Sequence, residues 1–258
     1  MPASKLRAMS DTLVVNEVYL SLQGESTFAG LPCIFVRLTA CNLRCSYCDT
    51  AYAFTEGEKQ PVEEILSEVR KLATPFRRNL QSSILNPQSS IPLVELTGGE
   101  PLLQPNALPL MKALCDDNFT VLIETSGAHD ISKIDLRVRC IMDLKCPSSG
   151  EVARNRFENI AHLKATDEVK FVIGTQEDYD WAKEQIAQHQ LAGICPLLFS
   201  WVQPLAPGQQ HPSLKKVPAG QTPITRRELA EKIIADALPV RFQLQMHKFI
   251  WPAEQRGV

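Results

Sequence analysis

Three cysteines fall within eight residues, Cys41-Asn-Leu-Arg-Cys45-Ser-Tyr-Cys48, directly after an apolar, β-branched run. Thiolates this close in one loop can converge on a soft metal centre, because sulfur suits zinc and iron–sulfur clusters. A structural zinc asks for four protein ligands in a closed tetrahedron. No fourth Cys or His follows at finger-like spacing, although folding could bring in Cys146 or a distant His. A 4Fe–4S cube held by three cysteines leaves one iron open to a small molecule. The remaining cysteines (Cys33, Cys115, Cys140, Cys146 and Cys195) are scattered and read as small buried hydrophobes.

About fifty residues after the triplet, LTGGEP (96–101) closes another apolar run. Backbone without Cβ can approach a ligand closely, so paired glycines at a strand end suit a binding turn. A GGEP alone is more often an ordinary turn. With the cysteine spacing ahead of it, the pair resembles the radical S-adenosylmethionine superfamily. SLQGES (21–26), CDT (48–50), ETSG (124–127), DLK (143–145), VQPL (202–205) and HKFIWP (247–252) follow in order. Together they resemble the 7-carboxy-7-deazaguanine synthase family over about residues 14–252.

The resemblance implies an α/β fold, an abridged βα barrel, usually dimeric. It implies conversion of 6-carboxy-5,6,7,8-tetrahydropterin to 7-carboxy-7-deazaguanine with loss of ammonia, in queuosine and related deazapurine biosynthesis. The cofactors implied are a 4Fe–4S cluster, S-adenosylmethionine and magnesium, with an electron donor such as flavodoxin or ferredoxin. By matching motif, Cys41, Cys45 and Cys48 hold the cluster. Tyr47, Cys48, Asp49, Gly99, Asp143, Leu144, Lys145 and the turn Gln203, Pro204, Leu205 and Ala206 contact S-adenosylmethionine. Leu22, Gln23, Gly24, Arg37, Thr97 and Pro252 match substrate positions. Glu25, Glu124 and His247 are further candidates for hydrogen bonds to the heterocycle, and Thr50 matches the magnesium contact. Arg37 also makes independent sense, since a guanidinium grips a carboxylate in a bidentate fork.

Each residue also has a plainer reading. Arg37 is a strand-edge charge, Gln23-Gly24 a turn, Thr50 a helix N-cap, Tyr47 packing and Lys145 the end of a strand. Cys146 draws attention only because it follows a matched position. Two features depart from the family pattern: AEQRGV continues past Pro252, and DLK replaces a polar-Pro-Lys pattern.

These side chains need a frame. Apolar runs at 33–40, 92–97, 119–125, 138–144, 168–174, 194–202 and 240–246 are nearly continuous, as in parallel strands covered on both faces. Helical periodicity lies between them. Residues 61–73 set Ile65, Leu66, Val69 and Leu72 on one face, and 225–238 set Leu229, Ile233, Ile234 and Leu238; two more helices cover about 105–117 and 176–189. Strand–helix alternation predicts parallel α/β, as a single domain over 1–258. Residues 74–91 read as a mobile surface insertion and 205–223 as a long loop, of the kind that forms a lid or stays mobile.

Composition bounds the rest. Apolar residues make up 44% and the net charge is −2, so a core is affordable and no basic field exists to grip nucleic acid. No apolar run approaches a membrane span or a secretory signal, which places the chain in the cytoplasm with reduced thiols. A glycyl-radical activating enzyme shares the cysteine spacing but does not account for SLQGES, CDT and HKFIWP together. A non-catalytic zinc module is the other alternative, and metal analysis separates it.

Overall fold

A computed structural model describes residues 11–77, 92–252 and 255–258. Among the described residues, nine strands form one sheet, β1 (Thr12–Leu22), β2 (Pro32–Leu38), β3 (Glu58–Pro61), β4 (Leu93–Gly98), β5 (Val121–Thr125), β6 (Arg139–Leu144), β7 (Glu168–Ile173), β8 (Leu197–Trp201) and β9 (Arg241–Gln243). The order is β3-β1-β2-β4-β5-β6-β7-β8-β9, and the end strands do not meet, so the barrel is abridged. From β2 onward every neighbouring pair is parallel, while β1 runs antiparallel to both β2 and β3. Helices α1 (Val62–Arg77), α2 (Ala107–Asp116), α3 (Gln176–Gln188), α4 (Arg226–Ala235) and α5 (His247–Ile250) complete the chain.

The parallel strands from β2 to β7 send alternate residues to opposite faces. Ile34, Val36 and Leu38 of β2, Val94 and Leu96 of β4, and Cys140, Met142 and Leu144 of β6 belong to the main core. Ile65, Leu66 and Val69 of α1 and Leu110, Met111 and Leu114 of α2 pack into that same core. The opposite residues face inward. Phe28, Cys33, Leu93, Leu122 and Ile141 form a second apolar cluster. Further along the strands, the inward positions are Arg37, Glu95, Thr97, Glu124, Asp143 and Lys170, which line a cavity. The near-continuous apolar runs are therefore interrupted on one face by charge, because that face surrounds a cavity rather than a second helical layer.

Several expectations change. Thr74–Arg77 belong to α1, not to an insertion, and 78–91 lie outside the described residues. Ile234 is 78% exposed, so it is not on the buried face of α4, whereas Leu229 and Ile233 are buried. Residues 205–223 do form an irregular loop, but it is pinned to the cysteine loop: Lys215 donates its N–H to Arg44 O at 2.9 Å, and its ammonium meets Glu151. Strands β1 and β3 were not anticipated. Among the described residues no helix is long and apolar enough to cross a membrane.

Candidate active site

The strands deliver their inward side chains to a cavity of about 490 Å³. The cysteine loop leaves β2 through Ala40, which adopts a positive φ. The loop is held by hydrogen bonds from Ser46 N to Ser149 O (3.1 Å), Ser46 Oγ to Ser148 O (2.7 Å) and Arg44 N to Glu151 Oε1 (2.7 Å). Cys41, Cys45 and Cys48 all face the cavity. Burial pushes Cys45 up to about 11 and Cys48 up to about 12, so the free thiols are protonated at neutral pH. Among the described residues, no three His, Cys, Asp or Glu side chains converge tightly enough for one metal ion. Three thiolates from one loop suit a cube, in which each would meet a different iron.

The glycine turn is built against this loop. Glu100 N donates to Ala40 O at 2.8 Å, and a Cβ on Gly99 would lie 2.1 Å from that same oxygen. Glu100 itself is buried. Its carboxylate accepts bonds from Leu102 N, Thr125 Oγ1, Ser126 N and Ser126 Oγ, tying the turn to the ETSG segment after β5.

The residues expected around S-adenosylmethionine divide. Tyr47, Cys48, Asp49, Gly99, Asp143, Lys145 and Gln203 line the cavity; Leu144 points into the helix-side core, and Pro204, Leu205 and Ala206 do not reach the cavity wall. Strand alternation explains Leu144, which offers only its backbone. Burial alone would lower Lys145, but Asp143 at 2.6 Å holds it charged and above its ordinary range. The buried Tyr47 hydroxyl, Asp143 Oδ1, Asn42 Oδ1 and Ser148 Oγ have no partner. Of these, Tyr47 and Asp143 line the cavity, and their orphaned atoms call for a polar ligand, fitting a cofactor bearing amino, carboxylate and hydroxyl groups. Cys146 is fully buried, and burial raises its thiol, so it is core rather than ligand.

Opposite lies the expected substrate side. Leu22, Gln23, Gly24, Glu25, Arg37, Thr97, Glu124 and His247 all face the cavity. Arg37 donates to Glu17 Oε1 at 2.7 Å and to Tyr19 Oη at 2.6 Å, with Tyr52 against its other side, leaving the rest of its fork for a ligand. Arg37 is thus a half-buried residue of a cavity wall, not a solvated strand edge. Thr50 stands at the N-cap of the 3-10 turn Ala51–Phe54, yet its hydroxyl caps nothing and donates to Asp49 Oδ1 at 2.8 Å. Oxygen donors side by side suit a hard cation that keeps most of its waters. Burial raises Asp49, but Lys248 at 2.6 Å outweighs it and holds the carboxylate below its usual range.

Pro252 is exposed and outside the cavity. The segment beyond it takes the place at the mouth: Arg256 meets Glu56 at 2.6 Å and lies 4.0 Å over the Tyr52 ring. The sequence reading also missed Glu17, Tyr52, Glu95, Lys170, Gln245 and Lys248, all of them on the site. For Glu95 and Lys170 the available signal was a charge inside an apolar run, as in PLVELT and EVKFVIG.

Comparisons with known proteins agree with this geometry. Residues 36–140 match the Radical SAM superfamily. A 7-carboxy-7-deazaguanine synthase from Koribacter versatilis is 42% identical, over 95% of this chain and 99% of the relative. One from Chlorobaculum tepidum is 39% identical over 95% and 97%. The crystal structure of QueE from Escherichia coli covers 92% of this chain and 95% of its own, with 22% identity and a TM-score of 0.60, and so shares the fold. With relatives of this identity aligned along nearly their whole length, the chain belongs to the 7-carboxy-7-deazaguanine synthase family of radical S-adenosylmethionine enzymes.

Proposed function

We propose that this chain converts 6-carboxy-5,6,7,8-tetrahydropterin to 7-carboxy-7-deazaguanine with release of ammonia, as a radical carbon–nitrogen lyase. The observation that carries the reading is the full-length likeness to synthases of that name, at 42% identity. When bound, the cluster and S-adenosylmethionine supply the radical that removes a hydrogen atom from the substrate.

The chain's own residues do the rest. Cys41, Cys45 and Cys48 hold the cluster, and the backbone around Gly99, with Tyr47, Asp143, Lys145 and Gln203, receives S-adenosylmethionine. Arg37 grips the pterin carboxylate with the part of its fork that Glu17 and Tyr19 leave. Glu25 and Glu124 accept N–H bonds from the heterocycle, with Gln23, Thr97 and His247 beside them. Thr50 offers one oxygen to magnesium, which needs few protein ligands when substrate oxygens and water complete the shell. The segment 255–258 narrows the mouth and excludes water. On this reading the chain is one domain, works in the cytoplasm as a homodimer, and takes its electron from a flavodoxin- or ferredoxin-type donor.

Anaerobic reconstitution followed by assay with the tetrahydropterin and S-adenosylmethionine is the test. Deazaguanine formed together with 5′-deoxyadenosine is the expected result. Zinc without iron or sulfide, or 5′-deoxyadenosine without deazaguanine, overturns it.

A further inference from the structure

One buried cation in the cavity has no part in the roles assigned above. Lys170, in the middle of β7, donates to Glu124 of β5 and stands 3.3 Å from Glu25, which follows β1. Its side chain is 6% exposed, against 19% for Glu25 and 24% for Glu124. The carboxylates are therefore more open to the cavity than the ammonium that joins them. A lone ammonium so deeply buried is strongly disfavoured, and its presence here is explained by the two carboxylates it joins.

We infer that Lys170 is a positioning residue of the cavity: it holds Glu25 and Glu124 as a pair of charged acceptors, and it reaches the substrate only through them. This rests on the pterin reading. Two carboxylates with their cation behind them present acceptors to the ligand, and the cation is already bonded to both. Such a surface suits a heterocycle edge with adjacent N–H groups, the amino-pyrimidinone end of a pterin, and rejects an edge made of acceptors.

The other charges around Lys170 bear on how it acts. Asp143 faces it from β6, with Lys145 beyond, and Glu95 faces it from β4. Around Glu25 stand Gln245 (3.0 Å), His247 and Asp49. Burial is the largest influence on Glu25 and would raise it, but Lys170 above all, then His247 and Gln245, bring it below its ordinary range. Without Lys170 the strongest influence holding Glu25 down is gone, and its carboxyl shifts upward. A Glu25 acid group then offers the substrate one acceptor fewer.

The experiment is calorimetric titration of 6-carboxy-5,6,7,8-tetrahydropterin into cluster-loaded wild type, Lys170→Met and Lys170→Arg at pH 6 and pH 7.5. The ratio of variant to wild-type Kd cancels the substrate's own titration. For Lys170→Met that ratio should be about tenfold or more at pH 6, the loss of one charged hydrogen bond, and smaller at pH 7.5. For Lys170→Arg it should stay small and flat. Iron content and the Kd of S-adenosylmethionine should not move. A ratio equal at both pH values makes Lys170 structural only, and a ratio near one removes its role. Should Lys170→Met fail to load its cluster, Lys170→Gln, which keeps a donor but no charge, carries the same expectation. Wild type that binds no pterin overturns the substrate reading and Lys170's role with it, whereas wild-type binding with a flat ratio overturns Lys170 alone.

Discussion

At the scale of residues, the fork of Arg37 is shared between protein and ligand. Lysine keeps the charge but cannot hold Glu17, Tyr19 and a carboxylate together, so Arg37→Lys should weaken pterin binding by ~1.5–3 kcal/mol while sparing S-adenosylmethionine. Equal pterin affinity in titration would return Arg37 to a purely internal role. For Thr50 the structure removes a competing explanation, since its hydroxyl bonds Asp49 and caps no backbone N–H. Thr50→Val should cost about 1.5–3 kcal/mol of stability through the lost bond to Asp49, with no backbone cap lost, and should also raise the magnesium needed for half-maximal rate. An unmoved magnesium curve would count against it as a ligand. The cysteines carry a pH prediction: burial keeps their thiols protonated, and iron must displace those protons. Cluster assembly, followed by absorbance, should run further at pH 8.5 than at pH 7, and Cys45→Ala should abolish 5′-deoxyadenosine formation. These residues were legible because local spacing carries them. Lys170 and Glu95 were not, because a charge within an apolar strand declares its purpose only once the strand's two faces are known.

At the scale of elements, the parallel strands and helices α1–α4 were legible from apolar runs and period. Strand β3 was not, because Glu58–Pro61 has no apolar residue and exists through pairing with Thr12–Val15. Strand β1 escaped because it lies between β3 and β2 as an antiparallel addition, where half-buried positions blur the pattern. The glycine turn shows the reverse, a local motif whose reason is tertiary. Gly99 is excluded from bearing a side chain by Ala40 O, a backbone atom that cannot swing away. Gly99→Ala should destabilise the chain by about 1–3 kcal/mol through overpacking and push the cysteine loop from its seat. Calorimetric titration with S-adenosylmethionine should show the loss, while Gly193→Ala, where a Cβ meets nothing within 4 Å, serves as the tolerated control. Normal cofactor affinity in Gly99→Ala would mean that the turn is not the cradle.

At the scale of the whole molecule, the C-terminal segment meets loops of the first quarter of the chain around the cavity. Lys248 joins Asp49, Gln245 joins Glu25, and Arg256 joins Glu56 across a separation of 200 residues. No local pattern could expose such contacts; HKFIWP was legible only as a motif. The charges gathered inside also set how the whole fold responds to pH. Glu95 is pushed up to about 8, first by burial and then by Glu124, with Gln23 and Lys170 opposing. Between the ordinary carboxylate pKa and about 8, the folded chain keeps a proton that the unfolded chain has released, so stability must fall as pH rises through that window. Glu168, raised by burial, adds in the same sense. Asp49 acts oppositely, because its lowered carboxylate contributes stability that is lost only at acid pH, outside the window. The unfolding midpoint of the wild type should therefore decline from pH 5.5 to 8. Glu95→Gln, which cannot titrate and still offers Gln23 an acceptor oxygen, should show a shallower decline. Parallel slopes for the two proteins would mean that Glu95 is already ionised in the folded state, and that the cavity carries one more negative charge than its packing implies.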